Sequence, residues 1–123
     1  MPKERWYEID VISCAAPNLR SRPSNAMNPD AGSWAVTISH DKLKQLHKKR
    51  MGRILDIAGC FGAQVMIAGA FGCGAFQNPP EVVAEAVKEL MLEYRHNFEV
   101  IELAVYCPPH DTANYDVFKR MLS

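Results

Sequence analysis

No apolar run in this 123-residue chain approaches the ~18 residues needed to cross a bilayer as a helix. A membrane partner is therefore not expected. Neither sign of charge is in excess: 14 Lys and Arg stand against 14 Asp and Glu, for a formal net charge of +0. A nonspecific grip on nucleic acid needs a basic excess, so no direct nucleic-acid partner is expected. There is no Cys-x-x-Cys pair. Cys14, Cys60, Cys73 and Cys107 are widely spaced, and His40, His47, His96 and His110 show no His-x-x-x-His pattern. No metal site and no cofactor follow from such spacing. The opening residues, MPKERWYE, are charged and lead into only a short apolar run, unlike a signal peptide. A cytoplasmic chain with four reduced, mostly buried thiols is the expectation. Internal repeats and low-complexity segments are also absent.

Hydrophobic residues make up 48% of the chain, enough to build the core of one domain. YEIDVIS (7–13) alternates apolar and polar residues and predicts a strand. Residues 14–36 carry Pro17, Pro23, Pro29 and Gly32 and predict a long loop. Leu43, Leu46, Met51, Ile54, Leu55 and Ala58 recur at helical spacing and predict a helix from about 39 to 59. Ser39 is its expected N-cap, Asp41 suits its first turn, and Gly59–Gly62 ends it. QVMIAGA (64–70) is continuously apolar and predicts a strand covered on both faces. A second helix over 79–95 places Val83, Val87, Leu90 and Tyr94 on one stripe, widened by Val82, Ala86 and Met91. Glu85, Lys88, Glu89 and Glu93 fall on its outer side. FEVIELAVYC (98–107) predicts a third strand, and 114–123 a short helix with Tyr115, Phe118, Met121 and Leu122 inward. Strands alternating with helices predict an α/β fold with a mainly parallel sheet flanked by helices. Three strands make a narrow sheet whose open edge calls for cover, for instance in a homo-oligomer.

Between the second strand and second helix lies AGAFGCGAFQNPP (68–80). Ligands of open α/β sheets bind at this kind of place, beyond the carboxyl ends of strands. Gly69, Gly72 and Gly74 would let the backbone turn with positive φ and come close to a ligand. Asn78 is the expected N-cap, Pro79 the first helical residue, and Glu81 the third position of a capping box. Consecutive amides before a helix N-terminus form a nest for an anion such as a diphosphate. The loop is neither GxGxxG nor GxxxxGK[ST], and no lysine follows to meet a γ-phosphate. Tight packing of a strand–helix turn is the alternative reason for its glycines.

IAGAFGCGAFQNPPEVVAEAVKELM (67–91) resembles the microbial-type poly(ADP-ribose) glycohydrolase family, with its GAWGCGxFxNxPxxVA pattern. Phe71 stands where the pattern has Trp. DVISCAAPN (10–18) and RILDIA (53–58) resemble two further segments of that family, and DVFKRML resembles its end. The resemblance implies a macrodomain-like fold, partial here, with residues 1–123 corresponding to the C-terminal half of the catalytic domain. It implies ADP-ribose or poly(ADP-ribose) as the ligand. Gly72, Cys73, Gly74 and Ala75 would offer amides to the diphosphate, Phe76 would lie against the distal ribose, and Asn78 would complete the set. Cys73 has no evident histidine base, so it is not expected to be a nucleophile.

The family's glycine-rich segment and Gln-Glu-Glu, whose glutamate acts on the glycosidic bond, have no counterpart. The sequence holds no Gly-Gly, Glu-Glu or Gln-Glu pair. A positioned acid is needed for glycosidic cleavage, so this chain alone is expected to be inactive and no catalytic residue is assigned. A fragment, one part of a split enzyme lacking its N-terminal half, and a reduced binding module are all compatible with that. A noncatalytic oligomeric interaction protein of the same fold is the alternative function, and an unrelated nucleotide-binding domain is a third. Glu8 and Asp10 share one face of the first strand and are either substitute carboxylates or a solvated strand start, and Asp111, after a strand, is a candidate ligand contact. HKKRMGR (47–53) reads as a solvated helix face. Asn18, Arg20, Arg22 and Asn25 in the long loop are candidate contacts to a nucleotide or to phosphates.

Overall fold

The computed structural model describes residues 2–24, 26, 27, 29, 32 and 35–123. Asn25 lies outside the described residues. The elements are α1 (His40–Cys60), β1 (Val65–Gly69), α2 (Pro80–Tyr94), β2 (Val100–Ala104) and α3 (Ala113–Leu122), with a short 3-10 turn at Lys3–Arg5. β1 and β2 pair in parallel, with Val65 opposite Val100 and Gly69 opposite Ala104. The mixed helix and strand architecture is therefore the expected α/β one, and β1–α2–β2 is a crossover unit.

α1 starts and stops for local reasons. Ser39 is in an extended conformation and its side chain accepts a bond from the Lys42 amide at 3.4 Å. At the other end Gly62 takes φ +75°. Its amide reaches the Gly59 carbonyl at 3.0 Å, and the Ala63 amide reaches Ala58 at 3.0 Å. These two bonds form a Schellman motif, which satisfies the last carbonyls of the helix.

The core lies where α1, α2 and α3 meet one face of the sheet. Met51, Leu55 and Ala58 of α1 pack with Val83, Ala84, Val87 and Leu90 of α2, together with Phe98 and Phe118. Met66, Ile101 and Leu103 reach this cluster from the sheet. An apolar cavity of about 180 Å3 remains between helices and sheet, bordered by Ile12, Met51, Met66, Phe71 and Val87 among others. It is a partly open apolar hollow at the edge of the core, lined by no charged side chain.

Beside this core runs a ladder of ion pairs between α1 and α2. His40 meets Glu85 at 3.0 Å, Lys44 meets Glu89 at 3.0 Å, and Lys48 meets Glu89 at 2.8 Å and Glu93 at 3.0 Å. The glutamates expected to face outward are thus engaged with the neighbouring helix. The ladder holds each lysine above its ordinary proton affinity through these glutamates. Its side chains are partly solvated, so it specifies the register of two helices more than it stabilises them.

Several expectations are corrected. No strand forms over 7–13: the segment is extended, with Tyr7, Ile9 and Val11 exposed, and only Ile12 packs against the core. Its alternation suits a half-buried strand, but among the described residues β1 pairs with β2 alone and the outward side chains are uncovered. The run 64–70 is likewise not covered on both faces, since Val65 and Ile67 are exposed along with Val100. Tyr115 is 41% exposed and lies beneath the Lys119 ammonium rather than inward. Of the four free thiols, Cys14 and Cys60 are exposed and Cys73 and Cys107 are half-buried.

Leu90 is 4% exposed whereas its neighbour Leu92 is 62% exposed. Replacing Leu90 by Ala is expected to cost about 2–5 kcal/mol of unfolding free energy in a denaturant titration. Leu92→Ala should stay within about 0.5 kcal/mol of the parent.

Candidate functional site: the glycine loop and its supports

The loop from Ala70 to Pro79 joins β1 to α2 through two tight turns. The Cys73 amide donates to the Ala70 carbonyl at 3.1 Å, and the Gln77 amide to Gly74 at 3.0 Å. The Asn78 amide returns to the Gly72 carbonyl at 2.9 Å. Gly72 sits at φ +78° and Gln77 at φ +57°.

The glycines divide by what surrounds them. A Cβ on Gly72 would lie 2.5 Å from the Asn78 amide nitrogen and 2.7 Å from the Ala16 Cβ. Gly72 is therefore required by packing as well as by its φ. Gly74 has no positive φ, and a Cβ there would meet nothing within 4 Å. Neither backbone conformation nor internal packing requires a glycine at 74. Positive φ, expected at Gly69, Gly72 and Gly74, occurs only at Gly72 of these three.

Asn78 holds the loop in place. It is 2% exposed. Its Nδ2 donates to the Pro17 carbonyl at 2.7 Å and to the Gly72 carbonyl at 3.0 Å. Its Oδ1 lies 2.9 Å from His47 Nε2. An amide nitrogen facing two carbonyls leaves Oδ1 as the acceptor, so His47 must donate from Nε2. That tautomer leaves Nδ1 of His47 as a buried acceptor with no partner. Phe71 meets the imidazole edge-on, with ring centroids 5.7 Å apart.

With its side chain engaged this way, Asn78 does not cap α2. Pro79 is the N-cap residue and makes no side-chain bond, Pro80 is the first helical residue, and Glu81 follows in the first turn. The helix thus starts one residue later than expected, and the expected capping box does not form. Asn78 supports the loop, and its carboxamide is directed into the fold.

Three further contacts steady the loop. The Leu19 amide donates to the Phe76 carbonyl at 2.9 Å. Asn114 of α3 donates to the Cys73 carbonyl at 3.3 Å. Arg50 of α1 donates to the Ala15 carbonyl at 2.9 Å, holding the segment that packs on Gly72. Among the described residues, the amides of Gly74, Ala75 and Phe76 donate to no other group, whereas the Cys73 amide closes a turn. Arg20 lies over the Phe76 ring at 5.4 Å.

Burial, aided by Glu81, pushes the Cys73 thiol up to about 12. The thiolate needed for nucleophilic chemistry is therefore scarce at neutral pH. Asp111 accepts a bond from the Ala113 amide at 3.2 Å and belongs to the start of α3. Glu8 and Asp10 are exposed on the extended segment. The basic run divides: His47 is buried, Lys48 joins the ladder, Arg50 bonds Ala15, and Lys49 and Arg53 are exposed. No group of three His, Cys, Asp or Glu among the described residues is arranged to hold a metal.

Sequence reasoning missed His47, Arg50 and Asn114 as supports of the loop. His47 is hidden in a run of cations. Asn114 lies on α3 just before the DVFKRML segment, outside the residues that carry the resemblance.

Burial lowers the proton affinity of His47 below the ordinary value of 6.5, with Arg50 adding to the effect and the Asn78 bond opposing it. The unfolded chain then binds more protons than the folded one between the lowered value and 6.5. Stability is expected to fall as pH drops below about 6.5, and His47→Gln, which keeps a donor for Asn78, should flatten this dependence in pH-resolved denaturation. Gly72→Ala should cost about 1–3 kcal/mol in the same assay through overpacking and backbone strain.

No protein-family model matches the chain, and no curated protein does. Solved structures do. Poly(ADP-ribose) glycohydrolase from Thermomonospora curvata aligns at 26% identity and a TM-score of 0.62, over 66% of this chain and 31% of its own. The Deinococcus radiodurans enzyme, solved in complex with ADP-ribose, aligns at 31% identity and a TM-score of 0.59, over 67% of this chain and 35% of its own. A second crystal form of that complex gives 32% identity and a TM-score of 0.57. No described helix is long and apolar enough to cross a membrane. The chain spans about one third of the length of these structures, and over two thirds of its own length it has the macrodomain-like architecture of the bacterial poly(ADP-ribose) glycohydrolases.

Proposed function

We propose that this chain recognises ADP-ribose, as part of a poly(ADP-ribose) glycohydrolase-type protein. The observation that carries the reading is the trio of amides at Gly74, Ala75 and Phe76. They stand unpartnered in a row among the described residues, while the carbonyls of Ala70, Gly72, Cys73, Gly74 and Phe76 are engaged and hold the loop in shape. Such a row of amides before a helix N-terminus suits an anion, and a diphosphate has the right charge. Gly74 has no internal reason to be glycine, which fits a position where a ligand comes close to the backbone. Gly72, Cys73 and Asn78 then give the loop its shape, and Phe76 supplies an aromatic surface beside it. The Deinococcus radiodurans relative was solved with ADP-ribose bound. The proposal is recognition, and no residue of this chain is put forward as the glycosidic acid.

A second reading, a noncatalytic interaction protein, is favoured by one observation. The sheet leaves Val65, Ile67 and Val100 exposed on one face, and parallel sheets are ordinarily covered on both. In the second reading another polypeptide covers that face and the loop binds nothing.

Calorimetric titration with ADP-ribose separates the two. Binding is expected, and Gly74→Val should abolish it while leaving the melting temperature almost unchanged, because the added side chain enters open space. Absence of heat at ADP-ribose concentrations on the order of 1 mM, where even weak complexes form, would favour the second reading.

A further inference from the structure

The long loop contributes one residue to the amide site whose charge is unanswered among the described residues. We propose that Arg20 is the cationic contact of this site and makes it select a diphosphate over an uncharged ligand. The inference rests on the reading of the loop as an ADP-ribose site and adds its charge specificity.

Position comes first. The Leu19–Phe76 backbone bond lays residues 16–20 along the loop, and Asn78 fixes the same segment through Pro17. Arg20 follows directly, and its guanidinium carbon lies 5.4 Å from the centre of the Phe76 ring. The amide of that same Phe76 has no partner among the described residues. One residue therefore carries both an open donor and the aromatic surface on which the cation rests.

Orientation comes next. Arg20 Nε donates to Asn18 Oδ1 at 3.2 Å, and one terminal nitrogen donates to the Pro23 carbonyl. Asn18 is itself held, donating to the Pro23 carbonyl at 3.2 Å. These bonds fix the plane of the guanidinium. Two of its five N–H groups are used, and the other three have no partner among the described residues. A fork of that kind matches the oxygens of a phosphate.

Charge decides the argument. Both acceptors of Arg20 are neutral, and no carboxylate pairs with it among the described residues. By contrast, Lys44 and Lys48 are each answered by glutamates. Arg20 is half-buried against an aromatic ring. An ionic partner would be worth more there than on an open surface. Arg22 is exposed and makes no such contact, so of the two arginines the structure singles out Arg20.

The test compares wild type, Arg20→Met and Arg20→Lys by calorimetry with ADP-ribose at two salt concentrations, and with adenosine as the uncharged probe. Wild type should bind ADP-ribose with an affinity that falls as salt rises. Arg20→Met should weaken ADP-ribose by about tenfold or more and reduce the salt dependence. Its affinity for adenosine should not change. Arg20→Lys should recover part of the loss, since it restores charge without the fork. Equal ADP-ribose binding by wild type and Arg20→Met would overturn the inference alone. Equal losses of ADP-ribose and adenosine would also overturn it, since they indicate a purely structural role. Should Arg20→Met not fold, Arg20→Lys decides: affinity and salt response equal to wild type would overturn the fork. Wild type that binds no ADP-ribose would overturn the reading of the loop, and this inference with it.

Discussion

One buried carboxamide organises the site. Asn78 joins three segments far apart in the chain: α1 through His47, the loop start through Gly72, and the extended segment through Pro17. Only an amide side chain can do this, because the site needs two donors and one acceptor on one short stem. An aspartate would present acceptors to two carbonyls, and a leucine would leave them and the imidazole unanswered. Burial raises the stakes, since an unmet polar group costs more away from water. His47 shows the strain of the arrangement, with one ring nitrogen bonded and the other without a partner.

That node can form only if α1 and α2 lie in one register. Their apolar faces bring them together through Met51, Leu55, Val83, Val87 and Leu90. The ladder from His40–Glu85 to Lys48–Glu93 fixes how far one helix slides along the other. A slide of about half a turn would pull the rungs apart and move His47 by about 2.7 Å from Asn78. The surface charges thus serve the geometry of a buried bond some distance away.

The three helices and two of the strands were legible, because their periodicity and caps are local signals. Ser39 and Gly62 act where the sequence placed the start and end of α1. Two failures have a common physical cause. The alternation of residues 7–13 describes a strand but does not supply the neighbour a strand requires. Asn78 before two prolines has the composition of a helix cap, yet its partners lie 31 and 61 residues away. Local pattern gives an Asn a set of possible partners, and tertiary contact chooses among them. The glycine motif was legible as a motif. That Gly72 is held by packing while Gly74 is open required the positions of Ala16 and Asn78.

The dependence of the loop on distant segments has a consequence for how it behaves in time. A loop shaped by its own sequence can open and close while the rest of the protein stays folded. This one borrows its shape from α1, from α3 and from residues 15–19. Its opening is therefore tied to the undocking of helices, and its bonded amides, those of Cys73, Gln77 and Asn78, exchange with solvent hydrogen on the schedule of the core as well as of the surface. Any ligand gripping the loop would in the same act tighten the whole chain.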